Sequence, residues 1–180
     1  VRPRGSIIHG FGGTASGPGP LIEMLANVAD VLNRCVGRPY ASLDLMEVDH
    51  AIAAAVIAGG VRRSARMSIK HWADHDILDF ISCKADPADH WSSNISVSVD
   101  SAFFAALDAG VPHARVVMEE VATGMAVNGE PGLVNMALAQ VGETSTDLVP
   151  NPCGEIFLEP FEPCCLGHVN LAHYGNDLRG

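Results

Sequence analysis

The sequence lacks the features that mark several large classes of protein. Its formal net charge is -10 and its pI is about 5.1, so it has no basic footprint for nucleic acid apart from the local run Arg62–Arg66. No window of about 18 apolar residues occurs, and the opening VRPRGSIIHG has no apolar core of a signal peptide. We therefore expect neither nucleic acid nor a membrane among its partners.

The sequence also lacks an even set of cysteines, since it has five among 180 residues. Without any sign of secretion, this usage predicts a cytoplasmic protein whose thiols are reduced, and either reactive or buried. The remaining composition, 48% apolar and 18% charged, is typical of a globular protein, and the length suffices for one domain with a core. The chain begins without Met, and we expect it to be a fragment of a longer protein.

Hydrophobic periodicity predicts helices that alternate with strands. Helical spacing extends from Pro20 to Leu32. A second helix is predicted to begin with a capping box of Asp44 and Glu47 and to end at Gly59–Gly60.

The second half of the chain continues this alternation. The segment NISVSVD alternates apolar and polar residues and predicts a strand, followed by a helix that Asp100 or Ser101 caps. Further helices are predicted at DHDILDFIS and ARVVMEEVATGMA, and a last strand at HVNLAHY. The segment VRRSARMSI is predicted to be a short strand or an extended loop, and LVNMAL a strand or a short helix. This order predicts an α/β fold without an internal domain boundary.

Three of the five cysteines lie in one turn-prone segment, NPCGEIFLEPFEPCCLG, at residues 151–167. A zinc site is one interpretation, although no C-x2-C spacing is present; its ligands would be Cys153, Cys164, Cys165 and His168. A disulfide from Cys153 to Cys164 or Cys165 is a second interpretation. A nucleophilic thiol is a third, and a surface turn with an incidental cysteine is a fourth.

The residues around Cys153 favour chemistry on a polyol. If the segment is extended, Asn151, Cys153 and Glu155 present an amide, a thiol and a carboxylate on one face. Pro152 fixes φ, and Gly154 permits a close approach of the backbone to a ligand. The pattern thus predicts a thiol between a hydrogen-bonding amide and a general base.

The segment NPCGEI resembles the finger loop of the adenosylcobalamin-dependent, class II ribonucleotide reductases. Four more segments resemble that family in the same order: GFGGTASGPGPL, AGGVRRSARMSI, NISVSVDSAFF and NGEPGLVN. The first of them is more similar to the monomeric, triphosphate-reducing branch. The resemblance implies that residues 1–180 form part of a ten-stranded α/β barrel, with a central finger loop at about 150–167.

The resemblance also implies roles for the finger-loop residues. Cys153 would carry a thiyl radical, generated with adenosylcobalamin, that takes the 3′-hydrogen of a ribonucleotide. Glu155 matches the base for the 3′-hydroxyl, and Asn151 matches a hydrogen-bonding amide. Cys164, eleven residues after Cys153, matches one thiol of the reducing pair, whereas Cys165 stands where the family usually has Asn.

The other thiols that this chemistry requires are expected outside the chain. They include the partner of the reducing pair and the tail thiols that take electrons from a thioredoxin-like reductant, so we expect the chain to be inactive alone. Cys35 follows a predicted helix and Cys83 ends one, and both are predicted to be buried as small apolar residues.

The segment AGGVRRSA resembles the family's specificity loop, which relays the identity of a deoxynucleotide effector to the substrate base. Its candidate residues are Gly60, Arg62, Arg63 and Ser64. Arg62 matches a position that reaches toward the base or the phosphates. The alternative is a basic turn that pairs with surface carboxylates.

The expected function is therefore that of a catalytic-core fragment of a ribonucleotide reductase. This oxidoreductase would reduce ribonucleoside triphosphates or diphosphates for DNA synthesis, without a separate metal site in this chain. The alternative is a non-catalytic or split-gene remnant that binds nucleotide or complements another subunit.

Overall fold

The computed structural model describes residues 1–10, 12–60, 63–86, 88–165, 167 and 169–170. The helices found there are α1 Gly19–Arg34, α2 Ser42–Ile57, α3 Ile77–Ser82, α4 Ser101–Asp108, α5 Pro112–Asn128 and α6 Met136–Ala139. The strands are β1 Arg66–His71, β2 Ser93–Val99, β3 Gly132–Asn135, β4 Val149–Pro150 and β5 Phe157–Leu158. None of the described helices combines the length and the apolarity that crossing a bilayer requires.

The strands β1, β2 and β3 form a parallel sheet in that order. Arg66 pairs with Ser93 at one end of the sheet, and Ser96 pairs with Gly132. Helix α3 connects the first two strands, and α4 and α5 connect the second to the third. The predicted α/β class is confirmed, because a parallel pair needs such a helical crossover.

The central strand β2 is buried on both faces. All of its residues are buried except Asn94, so the polar positions of NISVSV are covered as well as the apolar ones. The alternation predicts a strand correctly, but it predicts one solvated face, which is wrong. A central parallel strand is covered by helices on both sides, and its serines are therefore enclosed.

The core lies between β2 and the helices that follow the strands. Val97 of β2 is fully enclosed, as are Phe103 of α4 and Val117 of α5. Ile77 and Phe80 of α3 complete this layer. Apolar burial of this kind is the main stabilising contribution to the fold.

The start of α2 differs from the expected capping box. The N-cap residue is Ala41, and Asp44 is the third residue of the helix, where its carboxylate accepts a hydrogen bond of 2.8 Å from the Ala41 N–H. Arg38 donates two further hydrogen bonds to the same carboxylate, at 2.7 and 2.9 Å. Glu47 instead pairs with Arg34 of α1. The sequence correctly predicts that a side-chain carboxylate caps the start of this helix, but the helix begins three residues earlier than predicted.

Helix α4 begins as predicted, with Asp100 as its cap. The carboxylate accepts a hydrogen bond of 2.9 Å from the Phe103 N–H and another of 3.1 Å from the indole N–H of Trp72. The segment LVNMAL forms both β3 and α6, which begins at the cap Asn135. The last predicted strand, at 168–174, falls largely outside the described residues.

Candidate functional site

The cysteine segment forms a short hairpin with a tight turn at its tip. Strands β4 and β5 are antiparallel, with Pro150 opposite Phe157. Two hydrogen bonds of 2.9 Å close the tip, from Asn151 N–H to the Ile156 carbonyl and from Gly154 N–H to the Asn151 carbonyl. Gly154 has φ of +84°, a left-handed conformation that favours glycine.

The extended geometry expected for Asn151, Cys153 and Glu155 is therefore wrong. The turn sends the side chain of Asn151 into the loop, where it is 4% exposed, whereas those of Cys153 and Glu155 are exposed. Alternation cannot bring three side chains to one face where the backbone turns at Gly154. The three residues still belong to one six-residue loop, at 151–156.

Asn151 organises this loop through its side chain. Its Oδ1 accepts hydrogen bonds from the N–H groups of Gly154, Glu155 and Ile156, at 3.0, 3.1 and 3.3 Å. Its Nδ2 donates a hydrogen bond to the Sγ of Cys164 at 3.3 Å. An asparagine that bonds the backbone ahead of it stabilises a tight turn.

Cys164 is therefore held against the loop that carries Cys153. Cys153, Cys164 and Cys165 are all free and exposed. The described residues contain no group of three or more metal-binding side chains suited to hold an ion. His168, the fourth ligand of the zinc interpretation, lies outside the described residues.

The two remaining cysteines cap the C-terminal ends of helices, Cys35 of α1 and Cys83 of α3. Cys35 is buried, and burial together with a hydrogen bond to Asp44 raises the pKa of its thiol. Cys83 is partly buried against the core, and burial raises its pKa to about 11. The prediction of an enclosed thiol is confirmed for Cys35 and holds in part for Cys83.

A cleft of about 580 Å³ lies beside the hairpin. Its walls come from the first turns of α2, from β1, and from Pro150 and Pro152 of the hairpin. Asn94 of β2 donates a hydrogen bond of 2.7 Å to the Pro152 carbonyl and ties the loop to the sheet. The sequence does not predict this contact, because Asn94 is one of several polar residues in a strand with alternating apolar and polar positions.

Lys70 is a partly buried cation in the wall of this cleft, and it forms ion pairs with two carboxylates. Its Nζ lies 3.0 Å from Asp74 and 2.7 Å from Asp76. Burial disfavours the charge on Lys70, but the hydrogen bonds to Asp76 and Asp74 outweigh it and raise the pKa of the ammonium group. The lysine is thus charged and paired.

The candidate specificity loop begins where α2 ends. Gly60 is exposed with φ of +68°, and its N–H donates to the Ile57 carbonyl at 2.8 Å. Arg63 is exposed. Ser64 accepts a hydrogen bond of 2.9 Å from the guanidinium of Arg66. Arg62 lies outside the described residues.

Arg66, which the sequence does not distinguish from its basic neighbours, is anchored. Its guanidinium forms an ion pair with Asp49 of α2, as well as the bond to Ser64. The residue lines the cleft next to the hairpin. It connects the end of the candidate specificity loop to the wall of the cleft.

Comparison with known proteins defines the class to which these features belong. The insertion domain of B12-dependent ribonucleotide reductases matches residues 1–32. The crystal structure of a B12-dependent, class II ribonucleotide reductase is 38% identical and superposes with a TM-score of 0.69, covering 91% of this chain and 22% of that one. The chain is related in sequence and fold to class II ribonucleotide reductases, as its motifs predict.

Two proteins that are similar in sequence carry the name of one type of class II enzyme, the ribonucleoside-triphosphate reductases. One from Mycobacterium phage D29, provisionally named an adenosylcobalamin-dependent ribonucleoside-triphosphate reductase, is 46% identical over 98% of this chain and 28% of its own length. The enzyme of that name from Lactobacillus leichmannii is 42% identical over 94% of this chain and 23% of its own length. This chain thus spans about a quarter of the curated relatives that it matches.

Proposed function

We propose that this chain is part of the catalytic core of an adenosylcobalamin-dependent ribonucleotide reductase that acts on ribonucleoside triphosphates. The observation that carries the proposal is the hairpin tip, where the free, exposed thiol of Cys153 stands beside Glu155 in a loop that Asn151 organises. Similarity to triphosphate reductases over nearly the whole chain supports the same assignment.

The overall reaction replaces the 2′-hydroxyl of the ribose by hydrogen. A ribonucleotide and a dithiol give a 2′-deoxyribonucleotide, a disulfide and water. Cys153 takes the 3′-hydrogen atom as a thiyl radical and returns it at the end, because a thiol S–H bond can be broken and re-formed reversibly. Glu155 accepts the proton of the 3′-hydroxyl and assists the loss of water at C2′.

Asn151 contributes to the same site by its geometry. Its carbonyl oxygen is occupied by three backbone N–H groups, and one N–H of its amide is directed at Cys164. An amide nitrogen has two N–H donors, so one remains for a hydroxyl of the sugar. We assign this second donor to the substrate.

Adenosylcobalamin fits the described residues at one point, the exposed thiol of Cys153. Gly154 presents no side chain beside that thiol, and no atom beyond its two chain neighbours lies within 4 Å of the position where its Cβ would be. A large planar group can therefore approach the sulfur. When bound, the cofactor supplies the radical by homolysis of its cobalt–carbon bond, while the protein supplies orientation and exclusion of water.

Cys164 is assigned as the thiol of the reducing pair that this chain contributes. It is exposed and free, and Asn151 holds it at the loop that carries Cys153. Its partner thiol is assigned to another part of the protein. A thioredoxin-like protein, or a small dithiol in the laboratory, regenerates the pair by thiol–disulfide exchange.

The loop from Gly60 to Ser64 is assigned to substrate selection under a deoxynucleotide effector. Gly60 is exposed and has a left-handed backbone conformation, which supports a loop that can change its conformation. The hydrogen bond from Arg66 to Ser64 connects the end of this loop to the wall of the cleft. Arg62→Ala in the complete protein should change the preference among the four bases more than the maximal rate. Equal slowing with all four substrates would contradict the assignment.

The three-stranded parallel sheet is assigned to the ten-stranded barrel of this enzyme class, with residues 1–180 in one domain. Strands β1 and β3 are the edges of the described sheet, and each has one free side on which a barrel strand can pair. The five free cysteines support a reducing compartment, the cytoplasm, as the place of action.

Cofactor dependence tests the proposal. The complete protein that carries this chain is incubated with ribonucleoside triphosphates, adenosylcobalamin and dithiothreitol, and deoxynucleotides are measured by chromatography. Product is expected only when cofactor and dithiol are both present. Tight nucleotide binding without product under the complete conditions would favour the non-catalytic alternative.

A further inference from the structure

The side-chain amide of Asn151 has only one orientation that satisfies its surroundings. Three backbone N–H groups, those of Gly154, Glu155 and Ile156, converge on one end of it within 3.3 Å. A flipped amide would point its own N–H groups at these donors, and every one of the three bonds would be lost. The Nδ2 end is therefore directed at Cys164.

The contact with Cys164 is consequently a hydrogen bond in which nitrogen is the donor and sulfur the acceptor. Nδ2 lies 3.3 Å from Sγ, across 13 positions of sequence. Asn151 is almost fully enclosed, at 4% exposure, so water competes little for the donor. Hydrogen bonds to a sulfur that carries negative charge are stronger than those to a neutral thiol.

We propose that Asn151 is a positioning residue for Cys164, in addition to its part in the turn. It holds the thiol against the finger loop and stabilises the negative charge that the sulfur carries when it attacks a disulfide or an alkylating reagent. The same side chain thus fixes the loop of Cys153 through its oxygen and activates the reducing thiol through its nitrogen. The significance of this link for turnover rests on the proposed function.

Cys165 provides a control within the same molecule. It is adjacent to Cys164 and is also exposed. The two thiols share one peptide after digestion, so fragmentation of that peptide gives the alkylation rate of each. Because both thiols meet the same reagent in the same buffer, their ratio at a fixed pH cancels differences in reagent concentration and labelling time.

The first measurement needs no substitution. The wild-type protein is alkylated with iodoacetamide in native buffer and in concentrated urea, and the ratio of the rates at Cys164 and Cys165 is compared. Loss of one hydrogen bond to a charged sulfur should lower this ratio about fivefold in urea. An unchanged ratio would overturn the proposal.

Two variants then separate the donor from the turn. Asn151→Asp keeps an oxygen for the three backbone N–H groups and replaces the donor by an acceptor. Asn151→Ser adds no charge, and its hydroxyl lies one bond closer to the backbone than Nδ2, too far from Cys164 to replace the amide donor. Both should lower the native ratio about fivefold. If only Asn151→Asp lowers it, the effect is one of charge and the proposal is wrong.

This experiment contains neither nucleotide nor cobalamin. A fall in the ratio therefore supports the positioning role even if the complete protein makes no deoxynucleotide. Conversely, an unchanged ratio with normal product removes the positioning role and leaves the proposed function intact.

Discussion

Asn94 of the central strand and Pro152 of the cysteine hairpin are joined by a hydrogen bond of 2.7 Å, from the side-chain amide to the carbonyl oxygen. The two residues are 58 positions apart in the sequence. This bond connects the tip of the hairpin directly to the most buried strand of the sheet. The position of Cys153 therefore depends on the sheet as well as on the local turn.

Removal of this bond should loosen the hairpin without unfolding the sheet. Asn94→Ala is expected to increase hydrogen exchange of the amides at 153–156 about fivefold, because one hydrogen bond contributes about 1 kcal/mol. Asn33→Ala, on the surface of α1, is the control and should leave this exchange unchanged. Equal exchange in the two variants would mean that the bond does not hold the loop.

The five cysteines should differ sharply in their reaction with iodoacetamide at pH 8. Cys153, Cys164 and Cys165 are exposed and should react within minutes under native conditions. Cys35 is buried and should react only after unfolding, whereas burial raises the pKa of Cys83 to about 11, so that thiol should react far more slowly than the three exposed ones. Mass spectrometry of the digested protein gives the order, and rapid native labelling of Cys35 would contradict the described packing.

A methyl group at Gly124 should be poorly tolerated. A Cβ there would lie 2.6 Å from the Glu130 carbonyl oxygen and 3.1 Å from Pro131, where α5 packs on the turn before β3. Gly124→Ala should lower the free energy of unfolding by about 1–3 kcal/mol, as overpacking does. Gly10→Ala, at a position without positive φ where no atom beyond the chain neighbours lies within 4 Å, is the control and should be neutral or slightly stabilising. Urea unfolding of both variants decides the matter.

Acid should destabilise the fold through its capping carboxylates. The hydrogen bond from Arg38 holds the pKa of Asp44 well below its usual range, and the Phe103 N–H lowers that of Asp100. Because these groups hold protons more weakly in the folded state, their contribution is present above about pH 4 and is lost as pH falls through the folded pKa values. Asp44→Asn should make the unfolding free energy less dependent on pH between about 2 and 4.

His90 should add to this loss at a higher pH. Burial, followed by the neighbouring His50, lowers the pKa of its imidazole. The unfolded chain therefore binds the proton first, and stability should begin to fall as pH drops below about 6.5. His90→Gln should weaken the fall in stability that begins below about pH 6.5, measured by urea titration. An identical profile would exclude this histidine as the cause.

The sequence predicts where helices and strands occur better than it predicts which of their faces are buried. Periodicity locates α1, β2 and α5, because a repeat of 3.6 or 2 residues is a local property. It does not reveal that both faces of β2 are covered, because the covering helices come from distant segments. The displaced cap of α2 has the same origin: Arg38 competes for the carboxylate of Asp44, and spacing alone does not identify that partner.

The candidate site shows the same division. Residue types and the NPCGEI motif identify Cys153, Glu155 and Cys164 as candidates, but the geometry of the tip does not follow from alternation. The turn depends on Gly154 in a left-handed conformation and on three side-chain to backbone bonds of Asn151. The contact between Asn151 and Cys164 joins residues 13 positions apart. No local pattern in the sequence predicts that the intervening chain folds back in this way.

The most direct test of the account compares two serine variants of the complete protein. Cys153→Ser and Cys165→Ser are assayed beside the wild type for deoxynucleotide formation from ribonucleoside triphosphates, with adenosylcobalamin and dithiothreitol present. Because a hydroxyl group cannot replace a thiol as the hydrogen-atom carrier, Cys153→Ser should form no detectable product, whereas Cys165→Ser should retain turnover. Turnover by Cys153→Ser at a rate close to that of the wild type would contradict the assignment of Cys153.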